Sequence, residues 1–163
     1  MNVNAQHPAA GHDQQVSHYG RLLVMALLSF GAMYLLMYAM VDKVANVYPN
    51  VNQLYMAGLM TAPMVAFEIV LMRGMYRNRT ANGIILASSC VALVVLFALI
   101  REQGVVGDRQ FLKSMIPHHA SAIFMCEEAK LRDPELQELC NGIVAGQQQE
   151  IDQMKEKLAE TRR

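Results

Sequence analysis

Tryptophan is absent from this chain, cysteine occurs only three times, and charged residues make up 17% of the sequence. An ordinary soluble domain carries about 25% charge. Without Trp, any aromatic belt at a membrane–water boundary must come from Tyr19, Tyr34, Tyr38, Tyr48, Tyr55 and Tyr76. Charge of one sign is also lacking: the formal net charge is zero. No basic patch large enough to hold nucleic acid occurs. Two chemical signatures are missing as well. No HExxH is present, which excludes the helical zinc-protease site. No Glu-x-x-His is present, which counts against a di-iron carboxylate bundle. The chain is therefore read as a non-enzyme.

What is there is apolar length. Gly20 to Val41 is twenty-two residues, or about 33 Å of helix, against a hydrocarbon core of about 30 Å. It is too long for a signal peptide, and further spans follow it. Leu54 to Met72, interrupted by Pro63, is a second span, and Gly83 to Ile100 a third. The expected domains are a cytoplasmic tail (1–19), a three-helix membrane region (20–100) and a helical hairpin domain (101–163). The loop after the second span holds Arg73, Arg77 and Arg79 with no acid, whereas the first loop holds Lys43 beside Asp42. The positive-inside rule then places the N-terminus in the cytoplasm and the C-terminal domain outside. In a bacterial inner membrane that side is the periplasm. The tail, with His7 and His12, reads as disordered.

Methionine is abundant, at thirteen residues. Met33, Met37 and Met40 share a helical spacing on the first span. Met56, Met60, Met64 and Met72 form an i, i+4 row on the second, with Glu68 at the missing step. A thioether ladder could hand on a soft cation, but Met is also an ordinary apolar filler, which is the simpler account. Glu68 costs a few kcal/mol within a span unless it snorkels or pairs, with Arg73 as the nearest partner in sequence.

Beyond the linker, helical periodicity from Phe111 to Leu131 follows Asp108 as N-cap. Pro117 should kink this helix and leave the Lys113 carbonyl without its usual donor. Asp133-Pro134-Glu135 starts a second helix to about Ala159. The expected fold is thus all-α: three transmembrane helices, then an extramembrane αα-hairpin. Alone the hairpin has little core. Two copies would form a four-helix bundle, with Gly142 and Gly146 allowing close approach, so a homodimer is expected.

A turn centred on Asp133 sets Cys126 level with Cys140 and His119 with Gln147. One candidate metal site gathers Met115, His118 or His119, Met154 and Glu150, because thioether and imidazole ligands suit soft or borderline ions. His118 and Met125 share a face one site cannot span. The other candidate is Cys126 with Cys140, either a disulfide or two soft thiolates. The alternative for His118-His119 is a polar pair on a kinked helix with one ring buried and hydrogen-bonded.

The residues Asp108-x-x-Phe111-Leu112-x-x-Met115-Ile116-Pro117-His118-His119-x-x-Ala122-Ile123-x-Met125, then Asp133-Pro134-Glu135-Leu136 and Gln147-x-x-Glu150-Ile151-x-x-Met154, resemble the DUF305 family. The likeness covers about a third of the chain. It implies a ferritin-like helical-bundle fold and, from some members, external copper binding through Met and His. Met115, His118, His119, Met125 and Met154 are the ligands so implied. Many members carry Trp where this chain has Lys157, and copper-linked ones often have two hairpins. The single hairpin here implies a site completed by a second protomer. The expectation is a membrane protein whose outer domain binds Cu(I). The alternative is a structural or regulatory membrane protein whose hairpin dimerises.

Overall fold

The computed structural model describes residues 9–161. Five helices follow in order: α1 (Ala9–Leu36), α2 (Val51–Leu71), α3 (Arg79–Arg101), α4 (Asp108–Glu128) and α5 (Pro134–Glu160), with a 3-10 turn at Val44–Asn46. No strand occurs among the described residues. His18–Leu36, Val51–Leu71 and Arg79–Arg101 are long and apolar enough to cross a membrane. Residues 1–8 of the expected tail, His7 among them, lie outside the described residues. The remainder, from Ala9, is already helical and runs into the first span without a break.

Local backbone turns and asparagine caps set where the apolar helices stop and start. α1 stops at Leu36, short of the expected Val41, and the chain turns tightly through i→i+3 bonds from Tyr38 to Leu35 and from Ala39 to Leu36. The Tyr38 hydroxyl donates to the Tyr48 carbonyl at 2.8 Å and lies 3.4 Å from the Tyr34 hydroxyl. Burial, and then the Tyr34 hydroxyl, push the Tyr38 pKa up. α2 begins at Val51, three residues earlier than expected, because Asn50 caps it: Oδ1 accepts from Gln53 N at 3.0 Å. α3 begins at Arg79 under the same kind of cap, Asn78 Oδ1 accepting from Ala81 N.

Two compact units form. In the first, Ala57–Ala98 packs with α1 as far as Met33. Leu22, Ile69 and Tyr76 are buried together there, with Met25, Val65 and Ile85 around them. Gly58 lets α2 and α3 approach closely, since a Cβ would meet Leu96 Cδ1 at 2.8 Å. Glu68 makes no ion pair with Arg73 among the described residues; the Tyr76 hydroxyl donates to its carboxylate at 3.3 Å.

The second unit joins Tyr34–Met56 with Leu99–Arg163. The α1–α2 connection thus packs with the hairpin. The hairpin core is Ile116, Ala120, Ile123, Ile151 and Leu158, and Val41 and Tyr48 of the connection pack against it. Burying each isoleucine contributes about 1.5–3 kcal/mol. Asp133 caps α5 as its sequence requires, its Oδ1 accepting from Glu135 N at 2.9 Å with Pro134 in the first turn. α4 starts after Gly107 and not after Asp108, which lies in the first turn, and it ends at Glu128, before Leu131.

Candidate functional site

The site begins with a proline. Pro117 lies inside α4, so the Lys113 carbonyl has no backbone donor. Asn50 Nδ2 points at that oxygen from 3.5 Å, while Gln110 Oε1 accepts from Val51 N at 3.3 Å. One unsatisfied N–H of the α2 start thus meets a side chain of α4, and the carbonyl freed by Pro117 meets the Asn50 amide only at long range, since Asn50 Nδ2 also donates to the Tyr48 carbonyl at 3.0 Å and to Gln53 Oε1 at 2.9 Å. This pairing fixes the first turns of α2 against α4.

Between them lies a cleft of about 310 Å³. Four of its lining residues carry soft or borderline donors: Met37, Met56, Met115 and His118. Asn50, Gln53, Ser114 and Ser121 supply a neutral polar rim. No carboxylate lines it. Three thioethers and one imidazole fit a soft, singly charged cation, because neutral donors leave little charge uncompensated and sulfur disfavours hard ions. Among the described residues no three His, Cys, Asp or Glu side chains gather as a metal site.

The residues expected as ligands fall into five places. Met115 and His118 line the cleft. His119 turns away from it. The residue is 8% exposed, with Nδ1 2.9 Å from the Met115 carbonyl and Nε2 2.6 Å from Glu150 Oε2. The carbonyl only accepts, so the contact at Nδ1 is one in which the ring donates. Both ring nitrogens are therefore engaged, and Glu150 is a partner of His119, one turn beyond Gln147. Met154 packs on the hairpin core. Met125 is exposed. Cys126 and Cys140 are joined in a disulfide with Cα atoms 5.2 Å apart, so their thiolates are not available as ligands in this form. Lys157 pairs with Glu160 on an exposed face.

Met37 and Met56 were visible in the sequence only as members of methionine rows. Their role in the cleft depends on contacts with α4, roughly sixty to eighty residues further along. The signal that could have found them was Asn50-Val51-Asn52-Gln53, a helix start that places Met56 one turn beyond Gln53 on the capped end.

These features define a class: an all-helical chain with three helices apolar enough to span a membrane, followed by a disulfide-closed αα-hairpin. The family model described as domain of unknown function (DUF305) matches residues 94–158. A relative, uncharacterized protein L153 of Acanthamoeba polyphaga mimivirus, is 31% identical over 136 residues, covering 82% of this chain and 88% of that protein. The chain belongs to the DUF305 family. No solved structure matches it.

Proposed function

We propose that this protein is a cytoplasmic-membrane protein of the bacterial type that binds Cu(I) outside the cytoplasm, in the cleft of Met37, Met56, Met115 and His118. The observation that carries the reading is that the cleft gathers three thioethers and an imidazole with no carboxylate. Bound there, the ion would be held by neutral soft donors, and the protein would act in copper handling and not in catalysis. The topology supports the same assignment. If α1–α3 each cross the membrane, the α1–α2 connection and the hairpin emerge on one side, which is what their packing in a single unit requires. The arginines of the α2–α3 loop make the opposite side the cytoplasm.

The test loads the purified full-length protein with Cu(I) in ascorbate, which leaves the disulfide intact, and weighs the complex by mass spectrometry. One tightly held copper is expected, lost when Met115→Leu and His118→Ala are combined and retained in His119→Ala. Copper equally absent from, or equally present in, the parent and the double variant would defeat the reading. A C-terminal alkaline phosphatase fusion should be active.

A second reading has an observation of its own. Leu136, Leu139, Gly142 and Gly146 share one face of α5; the leucines are exposed and the glycines face open space. Such a stripe suits a second hairpin, giving a homodimeric four-helix bundle. Disulfide trapping at Gly142→Cys would yield a dimer across this face, and a chain that remains monomeric would exclude it.

A further inference from the structure

The seven-residue connection from Met72 to Asn78, between α2 and α3, is braced at several points. Asn82 Nδ2 donates to the Tyr76 carbonyl at 2.7 Å, and the Tyr19 hydroxyl donates to Asn82 Oδ1 at 2.7 Å. The Tyr76 ring is buried against Leu22 and Ile69. On this frame Arg73, Arg77 and Arg79 line a cleft of about 590 Å³ together with Tyr76 and Asn82. No carboxylate lines it, and among the described residues none of the three arginines is in an ion pair. Glu68, one turn before Arg73, is occupied by the Tyr76 hydroxyl.

Three arginines line one cleft with no carboxylate among them, and an anion with several oxygens would balance their charge. Phosphate matches the planar fork of arginine in bidentate fashion. The connection joins two helices apolar enough to span a membrane, so it sits at headgroup depth. Leu71 beside it is 79% exposed, and Met75 and Ile84 are exposed as well. A phosphate arriving there with acyl chains would satisfy both surfaces, the charged and the apolar.

We propose that the Arg73–Arg77–Arg79 cleft binds the phosphate headgroup of an anionic phospholipid. Basic pockets between membrane helices on the cytoplasmic side take such headgroups. The proposal rests on the membrane-spanning reading of α1–α3 and is independent of the copper reading.

The test is native mass spectrometry of the full-length protein in mild detergent, with phosphatidylglycerol, cardiolipin or phosphatidylcholine added at equal concentration. Retention of the anionic lipids should exceed that of phosphatidylcholine by roughly tenfold, the worth of about one charge-assisted hydrogen bond. Changing all three arginines to Gln should abolish the preference. Changing all three to Lys keeps the charge, loses the bidentate geometry and should lower the preference severalfold; it also serves if the Gln variant fails to fold, as judged by circular dichroism. Equal retention of anionic and zwitterionic lipid, or equal retention by the parent and both variants, would overturn the proposal. Displacement of the lipid by millimolar inorganic phosphate would assign the cleft to free phosphate and overturn it too. A chain that stays soluble without detergent would defeat the membrane reading itself, a result separate from absent lipid preference.

Discussion

Neighbouring residues of one helix have opposite fates here. His118 and His119 are about 100° apart around α4, and their ring centroids are 6.1 Å apart. One lines an open cleft, and the other is sealed against Glu150. The His119 contacts are those of a structural residue, so His119→Ala should cost about 1–2 kcal/mol of stability, the range for lost hydrogen bonds to a partly exposed partner, while leaving copper uptake intact. Thermal unfolding alongside the metal titration checks both parts. A second residue carries strain. Val105, in the linker before α4, has φ 61° and Gln103 has φ 49°, in the left-handed region where a β-branched side chain crowds its own backbone. Val105 is 83% exposed, so its side chain contributes little packing in return. Val105→Gly should raise stability by about 1 kcal/mol, the relieved strain less the entropy of the new glycine. An unchanged or lowered melting temperature would show that the linker does not store it.

Helices were the most legible elements. Runs of apolar residues, Pro134 after Asp133, and Pro117 within α4 all act within a turn or two of the chain, so their consequences are written locally. The α5 start agrees with the structure to the residue, and so does the orphaned Lys113 carbonyl. What answers that carbonyl was not legible, because Asn50 lies sixty-three residues away and nothing in its own neighbourhood points to α4. The same distance hid half of the cleft: Met115 and His118 stood out in one motif, whereas Met37 and Met56 were lost among other methionines. Expected ends of the apolar helices were off by a few residues because hydropathy marks what lipid tolerates, and caps such as Asn50 and Asn78 decide where the helix begins. Asn50→Ala removes the α2 cap and the donor to Lys113 together. A loss of about 2 kcal/mol is expected, near the sum of a cap and a hydrogen bond, with partial loss of copper as the cleft loosens. Chemical denaturation checks the first and metal titration the second; retained stability would deny Asn50 both roles.

At the scale of the molecule, the hairpin is not self-sufficient. Val41 and Tyr48 cover its core, and Met37 and Met56 complete its cleft. A fragment of residues 101–163 lacks all four. The disulfide across fourteen residues constrains its unfolded state by about 3 kcal/mol, yet small cores of this size rarely hold alone. The fragment should show broad, weakly cooperative melting and bind Cu(I) at least tenfold more weakly than the whole chain. Cooperative melting with undiminished affinity would place the entire site within the hairpin.

The bond between Asn50 and the Lys113 carbonyl also sets an order of events during synthesis. Asn50 leaves the ribosome sixty-three residues before Lys113, a delay of roughly 3–13 s at ~5–20 residues per second. Throughout that interval Met37, Met56 and the Asn50 cap stand ready without the helix they will face. The nascent chain therefore passes through a stage with two of the cleft's three methionines displayed and its histidine still to come. An assembly factor or an early metal ion would meet the protein first in that half-built form.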